Sequence, residues 1–309
     1  MKNKATFAVI DLGTNTFHLI IASCQQDSFS VLHEEKDHVG LGREGIGMIA
    51  PPAFDRAKKT IHRYAQLISH YPKCIVKAFG TAALRLAKNQ ADFIHEIHRH
   101  TGIQIEVIDG SKEAALIHRG VLSELKQPND HFVIMDIGGG SVEFIHSQSG
   151  QSQWFRSFDV GIALLENDFH QSDPITDKDL QTLELFLDEK LQPMKSYWQT
   201  LGANLPKILI GASGSFEIIF KMVHELKLSA DTDQITSQTF ETIYHQIISS
   251  SQLERRSMHF LPKERRSIII MAIVLIQYIL RNFQFRTIRY TASALKEGAM
   301  MEFCYNKGI

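Results

Sequence analysis

An internal repeat constrains the fold of this 309-residue chain more than any other feature of its sequence. Residues 7–20 read FAVIDLGTNTFHLI, and residues 132–145 read FVIMDIGGGSVEFI. The two segments align without a gap. Each has an apolar run, the pattern Asp-x-Gly, a turn rich in glycine or hydroxyl groups, and a second apolar run. That order predicts a β-hairpin, and its duplication predicts two domains of related topology.

Both halves of the chain alternate strand-like apolar runs with helical patterns, which predicts an α/β fold in each. A polar stretch that contains a proline, residues 125–130, is the expected linker. We therefore place an N-terminal domain at residues 1–126 and a C-terminal domain at residues 127–309. The longest apolar run, residues 267–280, is shorter than the roughly 18–20 residues that span a bilayer, which predicts a buried core helix.

Composition and charge exclude several functional classes. The net charge of −1 at pH 7 differs from that of nucleic-acid-binding domains, which are usually strongly basic. The three cysteines, Cys24, Cys74 and Cys304, are scattered and form no CxxC pair, so neither a disulfide framework nor a zinc site is expected. Residues 1–4 carry no signal pattern of charged and then apolar residues. These features predict a cytoplasmic protein in a reducing compartment, with no nucleic-acid or membrane partner.

The two Asp-x-Gly turns have the composition of phosphate-binding sites. Glycines let a tight turn point several backbone N–H groups into one concavity, and hydroxyl and amide side chains add further donors. A carboxylate at the end of each strand, Asp11 and Asp136, can hold a divalent cation through water, as magnesium prefers. The alternative to phosphate binding is that both segments are ordinary hairpins with glycine in the turn. This alternative would account for a single copy, but it accounts less well for two aligned copies. The candidate phosphate-binding residues are Gly13, Thr14, Asn15, Thr16, Gly138, Gly139, Gly140 and Ser141.

These turns resemble the phosphate loops of the actin, Hsp70 and sugar-kinase superfamily, and within it those of the exopolyphosphatase and guanosine pentaphosphate phosphohydrolase family. Further segments resemble that family's signatures in the same order along the chain. The resemblance extends from residue 7 to residue 298, which is nearly the whole sequence. The additional segments are 80–89 (GTAALRLAKN), 108–114 (IDGSKEA), 211–215 (GASGS), 261–266 (LPKERR) and 294–298 (ALKEG).

The resemblance implies two actin-like (ribonuclease H-like) domains with mixed sheets and an interdomain cleft. It also implies that the last helix, near residues 292–305, packs back toward the first domain. Glu113 matches the family's catalytic base, which orients and deprotonates the attacking water. Arg85 matches a phosphate-contacting arginine, whose planar fork suits two phosphate oxygens. From the residues alone, Glu113 could instead be a carboxylate favoured at a helix N-terminus, and Arg85 a surface helix residue.

Three carboxylates are expected to hold a magnesium ion. Glu143 matches a metal-side carboxylate of the family and joins Asp11 and Asp136 in this role. The third glycine turn is expected either to contact substrate phosphate or to be structural. Its candidate residues are Gly211, Ser213 and Gly214.

The resemblance predicts an exopolyphosphatase that releases terminal orthophosphate from inorganic polyphosphate by metal-assisted hydrolysis. Three alternatives stay open: a guanosine pentaphosphate 5′-phosphohydrolase, an ATP-dependent kinase of the same superfamily, and a non-catalytic sensor of a polyanion or nucleotide. Gly40 and Leu164 stand where the family often has a basic residue. Lys112 stands where an acidic residue is frequent. The substrate and its length are therefore left open, as is the formation of a homodimer.

Overall fold

The structure is a computed structural model, which describes residues 5–25, 28–125, 130–212, 214–231 and 233–306. The chain forms two compact units, each with its own sheet and apolar core. The first unit comprises Met1–Leu125, Gly138–Gly140 and Ser293–Ile309. The second comprises Lys126–Ile137 and Ser141–Ala292.

A mixed sheet with helices packed on it forms the first unit. Its strands are β1 (Thr6–Leu12), β2 (Thr16–Gln25), β3 (Ser28–His38), β4 (Ile75–Gly80) and β5 (Ile105–Val107). Its helices are α1 (Pro51–Ser69), α2 (Ala82–Leu86), α3 (Gln90–Thr101), α4 (Gly110–Glu124) and α12 (Leu295–Asn306). The strand order is β3-β2-β1-β4-β5, in which β1 pairs antiparallel with β2 and parallel with β4.

The second unit repeats this plan with one further strand. Its strands are β6 (Phe132–Ile137), β7 (Val142–Gln148), β8 (Gln151–Phe158), β9 (Ile208–Gly211), β10 (Gln234–Thr236) and β11 (Thr287–Tyr290). Its helices are α5 (Ile162–Phe169), α6 (Asp177–Lys190), α7 (Gln192–Thr200), α8 (Gly214–Glu225), α9 (Ser237–Ile248), α10 (Gln252–Ser257) and α11 (Ile269–Phe283). The strand order is β10-β11-β9-β6-β7-β8.

The two sheets share one topology. Strands β8-β7-β6-β9-β11 of the second unit follow the order and directions of β3-β2-β1-β4-β5 in the first. Strands β1 and β6 hold the same central place, and each leads into one of the repeated glycine turns. The repeat in the sequence is therefore a repeat in structure, and the predicted α/β class with mixed sheets is confirmed.

Helix α11 is the apolar run that the sequence assigned to the core. Every residue of α11 other than Arg281 and Asn282 is buried. The helix contacts α5 and α9, so its apolar surface is covered by protein. None of the helices in the described ranges combines the length and the apolar character that crossing a membrane requires. The predicted core helix is confirmed.

Helix α12 belongs to the first unit, although it follows the whole second unit in the sequence. It packs on α4 with the two backbones almost in contact. A Cβ atom at Gly298 would lie 1.8 Å from the carbonyl oxygen of Leu116. A Cβ atom at Gly120 would lie 2.0 Å from the carbonyl oxygen of Ala294. Only glycine allows this approach. The contact holds α4, whose first turn carries Glu113.

A disulfide between Cys24 and Cys304 ties α12 to β2, with the two Cα atoms 5.3 Å apart. The expectation that these scattered cysteines form no disulfide is wrong. The two residues are 280 positions apart in the sequence, and spacing along the chain does not report distance in the fold. The third cysteine, Cys74, carries a free thiol.

Reduction of the Cys24–Cys304 disulfide should lower the free energy of unfolding by about 2–5 kcal/mol, because the crosslink restricts the unfolded chain over a long loop. Thermal unfolding with and without dithiothreitol measures this effect. Cys304→Ser should reproduce it in the absence of reductant, whereas Cys74→Ser, which removes only the free thiol, should not. Equal melting temperatures for the oxidised and reduced protein would contradict the prediction.

Three polar side chains form a hydrogen-bonded chain in the second unit. The Nε2 atoms of His131 and His146 are 2.6 Å apart, and His146 Nδ1 lies 2.6 Å from the Tyr197 hydroxyl. The side chain of His146 is buried. Burial, with a smaller contribution from His131, lowers the pKa of His146 from its ordinary 6.5 to about 4. His146 is therefore neutral in the folded protein near pH 7.

The contribution of His146 to the free energy of unfolding should fall as the pH is lowered from 6.5 toward 4. In this window the unfolded chain protonates His146 whereas the folded chain does not, so each pH unit costs about 1.4 kcal/mol. Urea unfolding at pH 7 and pH 5 measures the difference. His146→Phe should lose this part of the pH dependence, and His62→Gln, at an exposed position, should keep it. The same pH dependence in His146→Phe and the wild type would refute the assignment.

Candidate active site

The first glycine turn closes the hairpin between β1 and β2. The Gly13 N–H group donates to the Thr16 carbonyl at 3.1 Å, which makes the turn tight. Thr14 is buried, and Asn15 and Thr16 are half-buried. The carbonyl groups of Thr14 and Asn15 accept hydrogen bonds from the loop of residues 39–45. The turn is thus held from outside the hairpin as well as within it.

The second glycine turn packs directly on the first. Residues Gly138–Gly140 lie between β6 and β7 in the chain and belong to the first unit. A Cβ atom at Gly139 would lie 2.8 Å from Thr14 Cγ2 and 2.9 Å from Asn15 Nδ2, so a side chain is excluded here. Two turns of the kind that binds phosphate through backbone N–H groups therefore meet within the first unit.

An ion pair joins α2 to α4. Arg85 Nη1 donates to Glu113 Oε2 at 2.9 Å and to the Ile108 carbonyl, also at 2.9 Å. Glu113 is buried in the first turn of α4, where Asp109 caps the helix by accepting from the Lys112 N–H group. The helix dipole and the guanidinium group both stabilise a carboxylate at this place. The two residues predicted to be catalytic lie side by side.

Asp11, at the end of β1, is part of a cluster of charged groups. Desolvation raises the pKa of Asp11 to about 7; the Lys296 ammonium group opposes this rise, and the Glu297 carboxylate adds to it. Lys296 is buried, donates to Glu297 and lies 3.3 Å from Glu34 Oε1. Burial lowers the pKa of Lys296, but Glu297 and Glu34 outweigh it, so the pKa is raised and Lys296 stays charged. Asp11 therefore lies near a permanent positive charge.

In the second unit, Asp136 and Glu143 are opposite each other on β6 and β7. Opposite residues of an antiparallel pair lie on one face of the sheet, with Cβ atoms about 5 Å apart. Glu143 is buried, and its Oε1 atom accepts from the hydroxyls of Ser141 and Ser157, both at 2.7 Å. These hydrogen bonds compensate for the removal of the carboxylate from water.

The third glycine turn follows β9, which neighbours β6 in the sheet. Gly211 ends β9, and its carbonyl accepts from the Thr291 N–H group at 3.1 Å. Gly214 begins α8. Because β6 and β9 are parallel, Gly211 and Asp136 lie at the same edge of the sheet. Ser213, which was also predicted to bind phosphate, lies outside the described residues.

The expected magnesium ligands are divided between the units, with Asp11 in the first and Asp136 and Glu143 in the second. Within the described ranges, no group of three or more His, Cys, Asp or Glu residues is arranged to hold a metal ion. The donors in each unit are carboxylate and hydroxyl oxygens. Magnesium takes such ligands and needs only one or two carboxylates besides its waters. The residues therefore fit magnesium, which stays a prediction.

Two residues that contact or lie near the predicted site residues were not predicted from the sequence. Lys296 lies in segment 294–298, which resembles a family signature, yet no local pattern indicates that it lies near Asp11. Ser157 belongs to β8 and reaches Glu143 through the pairing of β7 with β8. Both contacts depend on tertiary structure. The resemblance of segment 294–298 to a family signature is the sequence feature that could have indicated Lys296, and Ser157 has no such feature.

Comparison with known proteins shows similarity over almost the entire chain. Residues 20–306 match the model of the Ppx/GppA phosphatase family. An exopolyphosphatase from Cytophaga hutchinsonii is similar over 97% of this chain and 98% of its own, with 32% sequence identity and a TM-score of 0.89. The PPX-GPPA enzyme of Aquifex aeolicus is similar in fold over 96% of this chain and 99% of its own, with 22% identity and a TM-score of 0.80. The expected actin-like fold is confirmed.

Gly139→Ala should weaken the binding of inorganic phosphate about tenfold, because relief of the overlap between the new methyl group and Thr14 displaces the turn whose N–H groups would donate to the anion. Isothermal titration with inorganic phosphate measures the change. The control is Gly47→Ala, since a Cβ atom at Gly47 meets nothing within 4 Å. Phosphate affinity in Gly139→Ala equal to that of Gly47→Ala would contradict the role of the turn contact.

Proposed function

Because the chain belongs to the Ppx/GppA phosphatase family, we propose that it is an exopolyphosphatase, which releases terminal orthophosphate from inorganic polyphosphate. One observation carries the proposal: Gly139 packs on Thr14 and Asn15, so two phosphate-type turns meet in the unit that also holds the Arg85–Glu113 ion pair. The similarity to an exopolyphosphatase at 32% identity supports polyphosphate as the substrate.

In this proposal the glycine turns bind the terminal phosphate. Backbone N–H groups of the turns donate to the non-bridging oxygens, and the hydroxyls of Thr14, Thr16 and Ser141 add donors. Such dipoles are fixed before the substrate arrives, so they stabilise the charge of the transferring group without reorganisation. Gly211, Ser213 and Gly214 bind a further phosphate of the chain.

Glu113 is the general base of the reaction. Its carboxylate orients a water molecule and accepts one of the water's protons as the oxygen attacks the terminal phosphorus in line. The new bond joins that oxygen to phosphorus. The bond that breaks joins the terminal phosphorus to the bridging oxygen, which leaves with the electron pair on the shortened polyphosphate.

Arg85 has two roles in the proposed reaction. Its hydrogen bond to Glu113 Oε2 holds the carboxylate in a fixed orientation. Its remaining N–H donors contact the oxygens of the transferring group, whose charge grows in the transition state. Asp11 in the first unit, and Asp136 and Glu143 in the second, are the residues that would hold magnesium, which would neutralise part of the phosphate charge.

Glu113→Gln should lower kcat for phosphate release from polyphosphate by about 10²–10⁴-fold, since glutamine cannot take the proton from water. A colorimetric assay of released orthophosphate in magnesium buffer measures the rate. The control is Glu106→Gln, which removes an exposed carboxylate on β5 that is paired with Lys112 of α4. Full activity in Glu113→Gln would remove Glu113 from the mechanism.

A cavity in the second unit favours guanosine pentaphosphate as a second candidate substrate. Its volume is about 390 Å³, and its walls include the aromatic rings of Phe220, Phe260 and Tyr290. Aromatic faces of this kind stack on nucleobases. Phosphate release is therefore to be measured with polyphosphates of several lengths and with guanosine pentaphosphate, each in magnesium and in chelator. Release from the nucleotide alone would exclude the exopolyphosphatase assignment.

A further inference from the structure

The loop of residues 39–45, here called the backing loop, supports the first glycine turn from behind. The Gly40 N–H group donates to the Asn15 carbonyl at 2.8 Å. The Gly42 N–H group donates to the Thr14 carbonyl at 3.0 Å. These two hydrogen bonds engage the Thr14 and Asn15 carbonyls, in addition to the hydrogen bond from Gly13 N–H to the Thr16 carbonyl within the turn. The position of the turn therefore depends on the position of the backing loop.

The side chain of Arg56, on α1, holds both ends of the backing loop. Its Nε atom donates to the Val39 carbonyl and its Nη2 atom to the Gly40 carbonyl, each at 2.7 Å. Its Nη1 and Nη2 atoms also donate to the two carboxylate oxygens of Glu44, each at 2.9 Å. One planar guanidinium group thus binds four oxygens of the loop, a geometry that a lysine ammonium group cannot reproduce.

Helix α1, which carries Arg56, is fixed by its packing in the core of the first unit. Its residues Ala53, Ala57 and Ile61 are buried in the core of the first unit. The hydrogen bond from Arg56 lowers the pKa of the Glu44 carboxyl, so this partner is ionised at neutral pH. A continuous set of hydrogen bonds therefore leads from the core helix, through the backing loop, to the carbonyls of Thr14 and Asn15.

We propose that Arg56 is a positioning residue for the first phosphate-binding turn: by clamping the backing loop it fixes the Thr14 and Asn15 backbone for the substrate phosphate. The proposal rests on the proposed function, because it concerns the same turn. Arg56 does not contact the substrate. Its loss removes the side-chain donor of the Val39 carbonyl and leaves the Gly40 carbonyl with the Arg43 N–H group alone, and the backing loop and the turn then shift together. A displacement of about 1 Å at a site of phosphoryl transfer costs up to about 10²-fold in rate.

Arg63 provides a matched control on the same helix. It donates to Asp37 at 2.5 Å and to Glu35, both on β3, which precedes the backing loop in the chain. Arg56→Met and Arg63→Met each remove one guanidinium group that holds two oxygen partners or more. Both should lower the melting temperature, so melting temperature alone does not separate a positioning role from a structural one.

The separating measurements are steady-state kinetics with polyphosphate and amide hydrogen exchange. Arg56→Met should lower kcat/KM by about 10–100-fold, mainly through kcat, and Arg56→Lys should recover only part of the loss. The amides of Gly40 and Gly42 should exchange about tenfold faster in Arg56→Met. Arg63→Met should leave both kcat/KM and the exchange of these amides at the wild-type values, because its hydrogen bonds go to β3.

Three results would overturn the proposal: unchanged kcat/KM in Arg56→Met, equal losses in Arg56→Met and Arg63→Met, or full recovery by Arg56→Lys. If Arg56→Met does not fold, Glu44→Gln takes its place. That variant keeps the carbonyl contacts, so it should lower kcat/KM by about threefold and speed the same amides. A wild type that releases no phosphate would refute the proposed function, whereas the exchange rates would still decide whether Arg56 fixes the turn.

Discussion

The close packing of Gly139 on Thr14 and Asn15 is the contact on which the arrangement of the first unit's candidate site depends. A distance of 2.8 Å from a Cβ atom to Thr14 Cγ2 leaves no space for any side chain at Gly139. The second turn can therefore meet the first only as bare backbone, which is also the state in which its N–H groups are accessible to an anion. The same contact requires that the first turn be held in place, which the backing loop achieves through Gly40 and Gly42.

Charge compensation is a second constraint, and it acts in each unit separately, because an ionised group removed from water is stable only when it is paired or hydrogen-bonded. Glu113 is paired with Arg85, and Glu143 accepts from two serine hydroxyls. Asp11 lies near the charge of Lys296, yet burial still raises its pKa to about 7. Glu113, Glu143 and Asp11 thus lie in three different electrostatic environments.

The alternation of apolar runs and turns made the repeated hairpins, the α/β class, the glycine turns and the core helix predictable from the sequence. These features are local, since hydrophobic periodicity and turn chemistry act over a few residues. Resemblance to a family added Glu113 and Arg85 as a pair of candidates, and the ion pair between them is consistent with that choice. The prediction that the cysteines form no disulfide failed because their contact is not local. Cys24 and Cys304 meet only because α12 packs on the first sheet.

Tertiary packing decided the contacts that turn these local elements into a candidate site. It brought Lys296 near Asp11, Arg56 to the backing loop and Gly139 onto Thr14. None of these pairs has a signature in the sequence, because each joins residues far apart in the chain whose distance depends on how helices and strands pack. A sequence specifies which residues can form a helix, a strand or a turn. Which of their side chains meet is settled only when the apolar faces of those elements are buried together.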